Sequence, residues 1–517
     1  MGTILTDIWR NRIKPDWKTA FFAAMTFGLF AHLYKFMNYL PNHDALYCVF
    51  INPPNAIGSG RWLLDAACNL SSTFDLPWIR GLMALFWIGL TAAVITDIFR
   101  VENRFVQILI GGLLVTFPAV TNTFFFEFNA DAYMLAMLFS ALAVRFSSIG
   151  DSRAVYHVVA VLCICCCCGI YQAYLSFAVV LALCYLMSVL LSDERSGREI
   201  GKWIGKEICV FLAGLLLYYL IWRVCLLCTG GEINPYQGMD GSAAGFHPVY
   251  AIQQTVKTLL RFFLGGDVRK NGWTLYAALN TIFLIGFIVL IIYSIKKSKL
   301  VKRPGMLLLF LFCLLLIPFA VCIWFFMSAS VEVHMLMLQS IAVIYIFCLV
   351  MTEEYAKTVG KQCASAFFLL LIFKFSLQAN MSYFEMELCE KRTEATATEI
   401  LSRIHDLDDG TVKRIALIAG GDQSLVAEGA FGINEILVHA HQLRSNLIFD
   451  HNYASMYLSQ IMGSDYQGVS GEKIIELEES GLAEEMPSWP LAGSVQIVGD
   501  IAVVHLPSPE VQYYEMG

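Results

Sequence analysis

Four short stretches of the chain hold residue types that could do chemistry together. Directly after the first long apolar run comes Leu40-Pro41-Asn42-His43-Asp44, and the same segment continues to Gly60-Arg61-Trp62. Asp44 falls at an expected membrane surface, where partial desolvation raises the pKa of a carboxyl group and makes it a better proton acceptor. The competing reading is that Asp44 caps a short interfacial helix. Arg61 and Asp65, four residues apart, would share one helix face. Further on, Phe124-Phe125-Phe126-Glu127-Phe128-Asn129-Ala130-Asp131 sets two acids and an amide among four aromatic rings. Aromatic faces pack on the apolar side of a pyranose while carboxylates and amides take its hydroxyls, so this run suits a sugar. A helix N-cap from Asn129 or Asp131 is the alternative. Tyr171-Gln172 sits at a hairpin between two apolar runs, as a sugar contact or as part of an interfacial aromatic belt. Arg261, Arg269 and Lys270 surround Gly265-Gly266, a cationic cluster suited to a phosphate, or one neutralised by Asp267 and anionic lipid.

The elements that must position these residues are apolar helices. Runs of membrane-spanning composition lie at about 21–39, 78–98, 105–120, 132–146, 154–169, 170–191, 207–228, 273–295, 304–326, 331–351 and 363–378. The expected fold is therefore mainly α, a polytopic bundle of about eleven transmembrane helices. Basic residues set its orientation: Arg10, Arg12, Lys14 and Lys18 precede the first helix, and Lys296, Lys297, Lys299, Lys302 and Arg303 lie between the eighth and ninth. Both groups belong in the cytoplasm. An odd number of spans then puts the tail outside, together with the loops 40–77, 121–131, 229–272 and 327–330. All four chemistry-bearing stretches fall on that face, where long loops on a rigid scaffold usually carry function. Two domains result, a membrane domain over 1–378 and an extracytoplasmic α/β domain over 379–517. In the second, Glu394 to His405 reads as a helix, Lys413 to Ala419 as a strand, Leu447 to Met462 as a helix, and Val495–Val498 with Ile501–His505 as a hairpin about Gly499-Asp500.

Composition agrees with this division and excludes other classes. The chain has 517 residues, 57 % hydrophobic and 15 % charged, against roughly 25 % charged in soluble domains; its mean hydropathy is +0.62. A soluble enzyme, a nucleic-acid binder and a disordered chain are ruled out. Residues 379–517 hold 22 acidic and 7 basic side chains, a net of −15, which leaves +8 for the rest of the total of −7. A basic membrane part with an acidic tail fits short loops on the inner leaflet and a tail across the membrane. Of the sixteen cysteines, Cys163, Cys165, Cys166, Cys167 and Cys168 share one apolar run, where a thiol behaves as a small hydrophobe. No motif has metal-ligand spacing and no cofactor is expected, although the sequence does not exclude a divalent metal.

The order Asn42-His43-Asp44, Gly60-Arg61-Trp62, Asn129-x-Asp131 and Tyr171-Gln172 resembles that of the GtrII-like bacterial glucosyltransferases, over about residues 20–378. These are related to the wider GT-C membrane glycosyltransferases. The resemblance implies a GT-C-like bundle in the bacterial cytoplasmic membrane with its active site outside. It implies transfer of a hexose, glucose for this family, from a polyprenyl-phosphate-linked donor to a cell-surface glycan such as O-antigen. The catalytic acid of the superfamily lies in the first outside loop, and the matching position is Asp44.

The residues suit that chemistry. A polyprenyl phosphate leaves with its charge already delocalised, so cations for the phosphate and one base for the acceptor hydroxyl suffice. Asp44 is then expected as base, Arg61 with Arg261, Arg269 and Lys270 on the phosphate, and Glu127, Asn129, Asp131, Tyr171 and Gln172 around the sugar. Expected partners are the lipid-linked donor, the glycan acceptor and the bilayer, with no nucleic acid. Two other classes share the topology, a transporter or flippase of lipid-linked saccharide and a ligase or polymerase. The first should show inverted repeats or broken helices in both halves, and neither is visible.

Overall fold

The structure, a computed structural model, describes residues 14–50, 56–148, 153–192, 196–234, 247–265, 273–328, 330–331, 333–419, 447–449 and 451–507. The helices are α1 Pro15–Met37, α2 Leu64–Cys68, α3 Pro77–Ile98, α4 Arg104–Thr116, α5 Pro118–Phe125, α6 Glu127–Ser148, α7 Ala154–Ile170, α8 Leu175–Ser192, α9 Gly197–Thr229, α10 Pro248–Leu264, α11 Leu275–Lys297, α12 Pro304–Val321, α13 Ile341–Tyr355 and α14 Thr358–Leu407. After these come α15 His451–Met456, α16 Gly471–Glu479 and α17 Leu482–Glu485, with strands β1 Arg414–Ile418, β2 Gln467–Gly468, β3 Val495–Val498 and β4 Ile501–His505. Two compact units result. Among the described residues, the first takes 14–37 and 56–380, and the second takes 38–50 and the remainder from 381.

In the first unit, the described residues include ten helical spans long and apolar enough to cross a membrane, the last of them α14, whose apolar part opens the helix. The protein is a mainly helical, multi-pass membrane protein. α7, expected as the fifth span, is an apolar helix of 17 residues. Local signals start and stop these helices. Proline opens α3, α5, α10 and α12, where its missing N–H costs nothing. Asn103 caps α4 through the Phe105 amide, and Ser196 with Glu199 forms a capping box on α9. α9 ends at Gly230 and α10 at Gly265, both left-handed. The spans Arg104–Phe125 and Met335–Tyr355 are each 94 % buried, so they form the centre, whereas Gly197–Thr229 and Pro304–Val321 are 28 % buried and lie at the rim.

Two expected loops contain helix, and two expected helices are one. Residues 121–131 are not a loop: α5 runs to Phe125 and α6 starts at Glu127, with only Phe126 between. Nothing in that run breaks a helix, and its acids find partners elsewhere in the bundle. The expected loop 229–272 contains α10. Finally, the expected separate helices at 363–378 and 394–405 are one helix, α14, because no glycine or proline interrupts 379–393.

The second unit is a small α/β domain. Its sheet has the order β2-β1-β4-β3, with β1 parallel to β2 and β4, and β3 antiparallel to β4. Alternation along β1 feeds two cores. Ile415 and Leu417 join Ile400, Ile404, Tyr457 and Leu458, while Ala416 and Ile418 join Ile474, Leu477 and Met486. The hairpin of β3 and β4 turns at Gly499, with a φ of 63°, and Asp500 receives Arg414 through bonds of 3.0 and 2.6 Å. Leu46, from the first expected outside loop, belongs to the first of these cores and is fully buried there.

Candidate active site

The start of α6 carries a group of buried, paired charged side chains inside the first unit. Glu127 Oε2 lies 2.7 Å from Lys35 Nζ, in the last turn of α1, with side-chain exposures of 4 % and 2 %. One turn further, Asp131 Oδ1 accepts from Arg80 Nη1 at 3.2 Å. Arg80, in the first turn of α3, also faces Asp75 Oδ1 at 3.5 Å and donates to the Ser72 carbonyl at 3.0 Å. Ser71 donates to the second oxygen of Asp131. Between these acids, Asn129 accepts from Cys68 Sγ at 3.5 Å and donates to the Tyr133 hydroxyl at 3.4 Å. Buried charge is tolerable only when paired and hydrogen-bonded, and this network pairs three carboxylates with two cations.

The pairing shapes the ionisation of groups outside the spans. Burial pushes Asp75 up to about 6; Arg80 and then Lys35 pull it down, and Asp131 adds to the rise. Burial likewise pushes the Cys68 thiol well up, helped by Asp131, so Cys68 is a hydrogen-bonding hydrophobe and not a nucleophile.

A second group adjoins this one through Tyr133. The Tyr133 and Tyr171 rings stack at 4.5 Å between centroids, and the Arg61 guanidinium lies 4.6 Å from the Tyr171 centroid. Three bonds stitch the segment before α2 to the helices around it. Gln172 Nε2 donates to the Ser59 carbonyl and to the Tyr218 hydroxyl, each at 2.9 Å. Trp222 Nε1 donates to the Ile57 carbonyl at 2.7 Å, and the Leu63 amide donates to the Gly169 carbonyl at 2.8 Å. A Cβ on Gly169 would stand 2.7 Å from the Trp62 ring, so glycine is what lets that ring approach the end of α7 this closely. The result is a cation held on an aromatic stack beside a fixed array of acids, an amide and hydroxyls.

Of the expected site residues, Arg61, Tyr171, Asn129 and Asp131 come together in this connected group, with Gln172 at its edge and Glu127 on the Lys35 side. Asn129 and Asp131 do not cap α6; they lie inside its first two turns, because Arg80, Ser71, Cys68 and Tyr133 occupy their polar atoms. Arg61 does not share a helix face with Asp65. α2 begins only at Leu64, and Asp65 accepts instead from Asn69 at 3.2 Å. Arg261 is exposed in the last turn of α10, and Arg269 and Lys270 lie outside the described residues. Lys35, Asp75, Arg80, Tyr133 and Tyr218 escaped the sequence reading. A lysine within the first apolar run and an arginine three residues after Pro77 were the available signals, since charges in such segments are costly.

Asp44 belongs to the second unit. It opens a short 3-10 helix, Asp44–Cys48, but Asn42 is the residue whose side chain receives the Ala45 amide, at 2.8 Å. Asp44 thus has no capping bond to make. Its side chain is 46 % exposed, 3.5 Å from His43 Nε2. All sixteen cysteines, every one among the described residues, are free thiols.

No curated protein and no solved structure matches the chain. A family model, described as glucosyl transferase GtrII, matches residues 33–352, more than half the chain and a span that takes in Lys35, Asp44, the acids of α6, Arg61 and Tyr171. The chain accordingly belongs to the GtrII family of glucosyl transferases.

Proposed function

We propose that this glycosyltransferase moves glucose from a polyprenyl-phosphate-linked donor to a cell-surface glycan such as O-antigen, on the outer face of the bacterial cytoplasmic membrane, with Asp44 as general base. The observation that carries the reading is membership of the glucosyl transferase family. It is supported by a half-exposed carboxylate, free of capping duty, in the first segment after α1. The basic residues before α1 and after α11 argue for a cytoplasmic location of those ends; with α7 counted as a span beside the other ten, the first loop of the membrane domain, 1–378, and the tail domain, 379–517, then both lie on the outer face.

The reaction is a single displacement. The acceptor oxygen forms a bond to the anomeric carbon as the bond from that carbon to the phosphate oxygen breaks. Asp44 takes the hydroxyl proton, and the polyprenyl phosphate leaves with the electron pair, so the configuration inverts. Arg61, Arg261, Arg269 and Lys270 are assigned to the phosphate, for which a guanidinium fork is well suited. Glu127, Asn129, Asp131, Tyr171 and Gln172 are assigned to shaping the sugar pocket. No general acid is needed, because the polyprenyl phosphate leaves with its charge already delocalised.

The test is transfer of labelled glucose from polyprenyl phosphate glucose by the purified protein in proteoliposomes, with surface polysaccharide as acceptor, comparing wild type with Asp44→Asn. A loss of at least about a hundredfold in the folded variant is expected. Equal rates remove Asp44 from the role of base. No turnover by wild type with any such donor replaces this reading with the transporter or ligase classes.

A further inference from the structure

The residues around Asp44 form an aromatic, polar surface to which no function is yet attached. The His43 ring lies 5.1 Å from the ring of Tyr453, in α15, and Tyr47 meets the same ring edge-on at 6.0 Å. Tyr47 is 51 % exposed. The His43 imidazole backs this patch: its side chain is 15 % exposed, Nε2 faces Asp44, and Nδ1 is buried without a hydrogen-bond partner among the described residues. The cluster is held from beneath. Leu46 is fully buried in the core that includes Ala454, Tyr457 and Leu458, so the segment bearing Asp44 is seated on the same short helix that carries Tyr453.

We propose that His43, Asp44, Tyr47 and Tyr453 form the subsite for the acceptor, taking one hexose of the surface glycan with its hydroxyl directed at Asp44. This rests on the reading of Asp44 as base. Tyrosine faces cover the apolar side of a pyranose, and the Asp44 carboxylate accepts from its hydroxyls, with His43 Nε2 beside that carboxylate to orient it. Exposed tyrosines alone would also suit a membrane interface. A half-exposed carboxylate in the same patch argues against burial in lipid and for a polar ligand. Tyr453 lies beyond the matched residues 33–352, so the tail domain, through this ring, would help choose the acceptor.

The experiment measures initial rates of glucose transfer in proteoliposomes carrying the full chain, with acceptor polysaccharide and polyprenyl phosphate glucose varied separately. Tyr47→Ala removes an exposed ring without opening the core, and Tyr453→Leu keeps bulk while removing aromaticity. Each is expected to raise the acceptor KM by about tenfold, with the donor KM and kcat within about twofold of wild type. An unchanged acceptor KM in both variants overturns the proposal. A raised donor KM with the acceptor KM fixed also overturns it and assigns the rings to the bilayer. Asp44→Asn separates the two readings: full activity in that variant with raised acceptor KM values in the tyrosine variants removes the base and leaves the subsite standing.

Discussion

Lys35 closes α1 and Glu127 opens α6, and the two meet at 2.7 Å with both side chains buried. Each charge also suits its own helix end, since a cation is favoured at a C-terminus and an anion at an N-terminus. The pair therefore locks two helix ends that bear on the candidate site. Removing one partner leaves an unpaired buried charge, which costs about 3–5 kcal/mol, whereas replacing both with apolar groups is often close to neutral. Lys35→Met should lower stability by about that amount, and Lys35→Met with Glu127→Met should recover most of it. Unfolding of the four proteins of the cycle in detergent measures this. Simple addition of the two single losses would show that the pair is not the source of the effect.

The network around Arg80 predicts a pH dependence. Burial holds Asp75 at about 6 against an ordinary 3.8; Arg80 and Lys35 oppose the rise and Asp131 adds to it. Between these values the folded protein keeps a proton that the unfolded chain has lost. The resulting contribution is fully present below about pH 4 and is lost as pH rises through about 6, a total of about 3 kcal/mol. Asp75→Asn is neutral throughout and lacks this slope. The stability of wild type relative to Asp75→Asn should therefore fall between pH 4 and pH 7. Unfolding midpoints at four pH values across that range test it, and a constant difference rejects a raised pKa at Asp75.

What could be read from the sequence follows from the range of the interactions concerned. Long apolar runs announce spans because burial in lipid depends on local composition, and the strand at 413–419 and the hairpin about Gly499 follow from local alternation and turn chemistry. The grouping of Arg61, Tyr171, Asn129 and Asp131 was expected from a shared face of the membrane and from the family resemblance, without any contact between them. Their link through Tyr133, the grip of Arg80 on Asp131 and the pairing of Lys35 with Glu127 are contacts between helices far apart in the chain, which periodicity does not encode. The seating of residues 38–50 on the core of the second unit was hidden for the same reason. Leu46 reads as one apolar residue in a loop until Ile400, Tyr457 and Leu458 surround it.

The Arg61 guanidinium rests on the Tyr171 ring, itself stacked on Tyr133. A cation over an aromatic face gains about 0.5–2 kcal/mol and loses freedom to move, so the stack fixes the direction in which Arg61 can hold a phosphate. If Arg61 serves the donor phosphate, Arg61→Ala raises the donor KM by about tenfold or more, and Arg61→Lys recovers only part, because an ammonium lacks the planar fork. Tyr171→Phe keeps the ring face and should bind donor nearly as wild type does. Tyr171→Leu removes it and should raise the donor KM by about threefold to thirtyfold, the range set by the cation–π term. Donor titrations at saturating acceptor read these values. Equal behaviour of Tyr171→Phe and Tyr171→Leu would separate the stack from donor binding, and a loss confined to kcat would move Arg61 from holding the phosphate to stabilising its departure.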